Sequence, residues 1–200
     1  AQWLADDLNS IGFTASVRPT PGHPMVVAHA KAAKANAPHV LFYGHYDVQP
    51  VDPLDLWDND PFDPQIQDTA KGKVIRGRGS SDDKGQLMTF VEACRSWKEI
   101  HGTLPANITI FFEGEEESGS ETIGAFIQQF PEKVASDIAV ISDGIIRSPE
   151  QPALIYGLRG IITLEVHIDG PHRDLHSGHF GGTVHNPAQV IAEIVAQLHD

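Results

Sequence analysis

Apolar positions along the chain recur first at helical and then at strand spacing. Trp3, Leu4, Leu8 and Ile11 fall on one helical face, and Gly12 stands where a C-terminal cap is expected. Residues 13–17 and 25–30 predict short strands around the turn residues Pro19, Pro21, Gly22 and Pro24. Residues 40–43 form a compact apolar run closed by Gly44, the pattern of a strand buried on both faces. The polar segment 48–72, rich in Pro and Asp, is too long for a simple turn, and long loops in compact domains are usually functional. Leu87, Met88, Val91, Cys94 and Trp97 then mark an amphipathic helix over 83–101. A strand over 107–112, a helix over 121–130 and a third buried strand over 137–141 follow. This alternation predicts an α/β sandwich with a mostly parallel central sheet. After Pro152 the texture changes. Residues 153–156 and 161–168 read as extended, with Leu164, Val166 and Ile168 alternating with Glu165 and His167, which suggests a second, half-exposed sheet. A helix over 187–198 closes the chain, with Asn186 as its cap and Pro187 in its first turn.

Charge narrows the partners. The 200 residues carry 27 Asp and Glu against 14 Lys and Arg, a formal charge of −13, which argues against nucleic acid or an anionic membrane. With 40% hydrophobic residues the chain can build a packed core, so disorder is not expected. Its single cysteine, Cys94, excludes an internal disulfide and a multi-cysteine zinc site, and fits the cytoplasm as the default compartment. Ala1 opens directly inside the first helix with no initiator Met, which reads as an internal piece of a longer protein.

The chemistry concentrates where buried strands end. In α/β sheets, ligands bind in the crevice beyond the carboxyl ends of the strands. The strand over 40–43 runs into His45 and Asp47, that over 107–112 into Glu113, Glu115, Glu116 and Glu117, and that over 137–141 into Asp143. Asp82 and Asp83 precede the long helix. Each element has an ordinary reading by itself: a surface histidine, carboxylates at a helix start, an Asp-Gly turn. Together they crowd like charges at one rim, which cations neutralise economically. One histidine with several carboxylates suits zinc or manganese better than calcium. Bridging carboxylates allow two cations roughly 3.5 Å apart, the arrangement that activates water for hydrolysis. At an extended strand exit Glu116 and Glu117 point to different sides, so one can ligate while the other reaches the water. Asp47 is placed to fix the tautomer of His45.

Four motifs carry a resemblance over nearly the whole chain: Gly44-His45-Tyr46-Asp47-Val48-Gln49-Pro50, Gly77-Arg78-Gly79-Ser80-Ser81-Asp82-Asp83-Lys84-Gly85, Glu113-Gly114-Glu115-Glu116-Glu117-Ser118-Gly119-Ser120 and His176-Ser177-Gly178. They resemble the dinuclear metallopeptidases of the carnosinase, succinyl-diaminopimelate desuccinylase, acetylornithine deacetylase and glutamate carboxypeptidase group. Leu56-Trp57, Pro61-Phe62 and Tyr156-Gly157-Leu158-Arg159-Gly160 look most like the carnosinase and cytosolic non-specific dipeptidase branch. The resemblance implies a three-layer catalytic domain of the phosphorylase/hydrolase type, incomplete here, over residues 1–158. It implies the start of a smaller α+β lid or dimerisation domain over 159–200, and a homodimer. It further implies that His45, Asp82 and Asp143 hold one metal, that Asp82 bridges to a second held also by Glu117, and that Glu116 is the general base for a metal-bridging water. Glu115 becomes a variable position. Asp47 would orient His45, the Asp82–Asp83 peptide would be cis, and His176 would reach a neighbouring subunit's site to stabilise an oxyanion. Zinc is the first choice of metal, with manganese or cobalt as alternatives. The family's further C-terminal histidine ligand has no match, since neither His185 nor His199 lies in its motif. The reaction expected is hydrolysis of a dipeptide-like amide. Cleavage of an N-acyl amino acid at the same centre is the alternative, and an acidic α/β interaction domain the non-enzymatic one. Cys94 is read as inert core packing.

Overall fold

The computed structural model describes residues 1–148 and 150–198, so His199 lies outside them. The chain divides into two compact units, Ala1–Ala153 and Leu154–Asp200. In the first unit, helix α1 (Gln2–Ser10) leads into strands β1 (Thr14–Arg18), β2 (Met25–Ala30) and β3 (His39–His45). A hairpin of β4 (Gln65–Thr69) and β5 (Gly72–Arg76) follows, then helix α2 (Lys84–His101) and strand β6 (Asn107–Glu113). Helices α3 (Ile123–Gln129) and α4 (Pro131–Val134) lead to β7 (Ile138–Ile141).

The five-stranded sheet has the order β1-β2-β6-β3-β7. It is mixed, not mostly parallel: β3 runs parallel to β6 and β7, whereas β1–β2 and β2–β6 are antiparallel. The short Pro- and Gly-containing turn between β1 and β2 makes that pair an antiparallel hairpin, and β2 then lies antiparallel to β6. From β3 the chain crosses to β6 on one side, then from β6 over to β7 on the other. Right-handed crossovers in opposite directions place their helices on opposite faces. Accordingly Val26, Ala28, Phe42, Ile108, Ile110 and Phe112 pack against Leu4 and Leu8 of α1 and Leu87, Val91 and Cys94 of α2. Met25, Val27 and Phe111 point the other way, towards Phe126 of α3. The strict alternation of these residues between two cores makes the three-layer α/β sandwich.

Some expectations need correction. Trp3 is exposed, and α1 instead buries Leu4, Ala5 and Leu8. The strand near 137–141 is β7, all four of whose residues are exposed, because it is the sheet's edge and has β3 alone as a neighbour. The segment 48–72 is not wholly a loop: β4, the hairpin turn and the first residue of β5 lie inside it. Arg78 fastens the same segment, donating to the Pro50 carbonyl at 3.0 Å and lying 5.0 Å from the Trp57 ring.

In the second unit, residues 154–170 form no strand among the described residues, against the expected half-exposed sheet. An alternating segment becomes a strand only when another strand meets its backbone, and none of the described residues does so. Helices α5 (Ser177–Phe180) and α6 (Pro187–Gln197) are formed. The side chain of Asn186 accepts from the Ala188 N–H at 2.9 Å and Pro187 occupies the first turn, as the sequence predicts. No helix among the described residues is long and apolar enough to cross a membrane.

Candidate metal centre

His45 ends β3 and is fully buried. Its position follows from packing. Gly44 lets the start of α2 approach β3, since a Cβ there would sit 2.8 Å from Asp83 Oδ2 and 3.2 Å from Leu87 Cβ. Asp83 Oδ2 in turn accepts the His45 N–H at 3.0 Å, and the Asp82–Asp83 peptide is cis. The acidic turn hangs from the end of β6, whose last residue, Glu113, pairs in register with His45. Asp143 follows the end of β7, and there the Gly144 N–H donates to Gln86 of α2 at 3.2 Å.

These elements aim one nitrogen at three carboxylates. His45 Nε2 lies 3.0 Å from Asp82 Oδ1, 3.7 Å from Asp143 Oδ2 and 3.9 Å from Glu116 Oε2. Donor atoms of His45, Glu116 and Asp143 all fall within 4.8 Å of one another. Ligands of a tetrahedral zinc ion, with bonds near 2.0–2.2 Å, stand roughly 3.3 Å apart. The separations around Nε2 bracket that value, so the residues present fit a divalent transition metal.

On its other side the imidazole meets Asp47, with Nδ1 and Oδ1 3.3 Å apart but off the line of a good hydrogen bond. The Asp47 carboxylate also accepts the N–H groups of Glu116 at 3.3 Å and Glu117 at 3.0 Å. It therefore ties the exit of β3 to the acidic turn. A proton kept on Nδ1 towards Asp47 leaves the Nε2 lone pair free for a cation.

Of the other expected residues, Glu117 is not brought into the cluster. Its carboxylate accepts from Gln49 Nε2 at 2.6 Å. Glu116–Ser118 form one 3₁₀ turn, and not the extended exit expected, so the two glutamates diverge through turn geometry and not strand alternation. Glu115, outside the cluster, is buried and accepts from the Thr122 hydroxyl, from the Thr122 N–H at 3.3 Å and from the His23 N–H at 2.9 Å. A Cβ on Gly22 would overlap that carboxylate. His176 lies in the second unit, where its side chain caps α5 by accepting the Gly178 N–H at 3.0 Å. Burial pushes the Cys94 thiol up to about 11, in keeping with an inert packing role.

Crowding of like charges shows in the acidities. Burial first, then Asp143, Glu117 and Asp47, raise Glu116 above the ordinary carboxylate range against the opposing pull of His45. Asp143 is raised by burial and by Asp82 and Glu117, again against His45. Burial alone would lower His45, but Asp83, Asp47, Glu116 and Asp143 outweigh it and raise it. Asp83, expected as one of the rim acids and as half of the cis peptide, is fully buried, and burial lifts its carboxyl from 3.8 to about 6. The folded protein holds that proton more tightly than the unfolded chain. The resulting stability is full below about pH 4 and is lost as pH rises through 6. In the metal-free whole protein, Asp83→Asn should therefore gain on the parent between about pH 4 and pH 7, by on the order of 2 kcal/mol. Urea unfolding across that range checks this, and a difference that does not change with pH would refute it.

Residues 41–185 match the model of peptidase family M20/M25/M40. The chain belongs to this family. Among curated M20 relatives, the Cys-Gly metallodipeptidase dug1 of Schizosaccharomyces pombe is 41% identical over 161 residues, which cover 80% of this chain and 33% of that protein. The human Beta-Ala-His dipeptidase is 36% identical over 163 residues, covering 80% and 31%. The solved structure of the di-peptidase Dug1p from Saccharomyces cerevisiae superposes with a TM-score of 0.67 at 31% identity, covering 98% of this chain and 43% of that one. The motifs' resemblance to the carnosinase-like branch is thereby borne out. The chain spans about a third of the length of the first two M20 relatives.

Proposed function

We propose that the whole protein is a metal-dependent hydrolase of dipeptide-like amides. The observation that carries this reading is the buried His45 Nε2 facing Asp82, Asp143 and Glu116 at 3.0–3.9 Å, in a chain of the M20 family. His45, Asp82 and Asp143 would hold one ion, and Asp82 with Glu117 would contribute to a second. Zinc is the first choice, with manganese or cobalt as alternatives, because one imidazole among carboxylates suits these borderline cations. Bound there, such a metal lowers the pKa of water towards neutrality and polarises the substrate carbonyl.

Glu116 takes the proton from the attacking water as the new C–O bond forms. It then returns that proton to the amine nitrogen as the C–N bond breaks. The crowded rim raises its proton affinity above that of an ordinary carboxylate, the direction that a group which must both take and give a proton requires. Asp47 orients His45 and, by accepting the N–H groups of Glu116 and Glu117, sets the turn that carries the base. His176 is assigned to oxyanion stabilisation in a homodimer, and the cytoplasm is the proposed compartment.

The relatives named Cys-Gly and Beta-Ala-His dipeptidase favour an unmodified dipeptide over an N-acyl amino acid as substrate. The test loads the purified whole protein with zinc, manganese or cobalt and offers Cys-Gly, β-Ala-His and N-acetyl or N-succinyl amino acids. Metal-dependent turnover of unmodified dipeptides, abolished by chelator, is expected. Turnover of the N-acyl substrates alone would make it a deacylase. Failure to retain metal, with no stabilisation by metal, would leave an acidic interaction domain.

A further inference from the structure

Glu113 ends β6 fully buried, and the reaction proposed above does not use it. A carboxylate without accessible surface is retained where hydrogen bonds meet it. Its Oε1 accepts from the Tyr43 hydroxyl at 2.5 Å and from the Ser120 hydroxyl at 3.0 Å, while Oε2 has no partner among the described residues. One oxygen thus joins β3, β6 and the far end of the acidic turn. Burial, the bond to Glu113 and the nearby Glu113, Glu116 and Asp143 carboxylates push the Tyr43 phenol up, so it stays a donor. Ser120 is the one non-glycine residue with positive φ among those described, at 53°. An L-residue there needs compensation. Ser120 has two bonds that supply it: its hydroxyl to Glu113, and its N–H to the Glu115 carbonyl at 2.7 Å.

The turn is fastened elsewhere too, at Asp47 from the side of β3 and through Glu115 to Thr122 and His23. Those contacts fix the backbone at Glu116 and Glu117 and the side chain of Glu115. Where the turn closes, at Ser120, the backbone is held by the Glu115 carbonyl, and among the described residues Glu113 supplies the side-chain anchor. A base that must meet a water within hydrogen-bond reach tolerates little displacement.

We propose that Tyr43, Glu113 and Ser120 form a hydrogen-bonded brace, centred on the buried Glu113 carboxylate, that sets the turn carrying Glu116, which makes Glu113 a positioning residue. This rests on the hydrolase reading for its kinetic consequence, but not for its structural one. Two variants remove one donor each at opposite ends of the brace, Tyr43→Phe and Ser120→Ala, and neither changes the Cβ framework. In the metal-loaded whole protein each should lower kcat about 5- to 10-fold with KM within about 2-fold and bound metal unchanged. The double variant strips Oε1 of both donors and leaves a buried carboxylate with no side-chain donor among the described residues, so its loss should exceed that of either single variant. Glu113→Gln, which keeps an acceptor oxygen, should stay within about 3-fold of the parent, whereas Glu113→Leu should not.

Amide hydrogen exchange of residues 115–120 supplies the readout that needs no activity. Both single variants should speed it about 10-fold while the β1–β2 hairpin is unaffected. Unchanged exchange would overturn the brace whether or not the parent hydrolyses anything. Faster exchange with kcat unchanged in an active parent would reduce it to a structural contact. A parent inactive on every substrate would instead count against the hydrolase reading, leaving exchange to decide the brace.

Discussion

Replacing Glu116 by Gln in the whole protein is expected to lower kcat by roughly 10²- to 10⁴-fold, the usual contribution of a positioned general base, with bound metal unchanged. Gln keeps the length and the hydrogen-bonding oxygen of Glu but cannot take up a proton. The Asp47 contact to the turn uses the backbone N–H of residue 116, so the substitution does not disturb it. The neighbouring glutamates cannot readily stand in: Glu117 is held by Gln49, and Glu115 is buried against Thr122 and His23. Replacing Glu115 by Gln is the informative comparison, because it alters the turn's anchorage without removing the base, and its loss should be far smaller. Steady-state kinetics with metal analysis of the same samples decide the matter. Near-normal turnover in Glu116→Gln would remove Glu116 from the reaction.

The candidate site was legible in the sequence because the rule behind it is topological. Ligand-type residues placed immediately after apolar runs must gather at one rim if those runs are neighbouring parallel strands, and β6, β3 and β7 are. The rule points to His45, the acidic run 115–117 and Asp143, whereas Asp82 and the choice of Glu116 within the run come from the family resemblance. What could not be read is which member of the acidic run is buried. That depends on the turn taken after Gly114: a 3₁₀ turn leaves Glu116 beside His45, turns Glu115 inward and sends Glu117 to Gln49. The hydrogen bonds that make Asp83 and Glu113 important come from partners 38, 70 and 7 residues away, and no local pattern announces them. The β4–β5 hairpin escaped for a different reason. Its apolar content is thin, and Ile66 and Ile75 face solvent, so periodicity gave almost no signal although Lys71-Gly72 marks the turn. The exposure of β7 was likewise hidden, because burial of a strand depends on what lies beside it and not on its own residues.

His45→Ala should have an even larger effect, removing metal and activity together. The imidazole is the one nitrogen ligand in the cluster and the only member with no solvent-accessible surface. Without it Asp82, Glu116 and Asp143 face one another with their repulsion unrelieved, and their appetite for a cation is no longer matched by a fixed, neutral donor. At least one metal per chain should be lost, and hydrolysis should fall more than about 10³-fold. The stability response separates this from simple damage to the fold. A metal at 100 times its dissociation constant stabilises the native state by about 2.7 kcal/mol. The parent's melting temperature should therefore rise with added zinc while that of His45→Ala stays flat. The metal-free variant should itself be weaker by about 2–4 kcal/mol, from the cavity alone. Asp47→Asn is the graded control. It keeps Nε2 in place but weakens what orients the ring, so metal affinity should drop only about 10- to 100-fold and excess metal should restore activity. Metal content and zinc-dependent stabilisation preserved in His45→Ala would mean that the carboxylates hold the ion without it, and the assignment of this centre would fall.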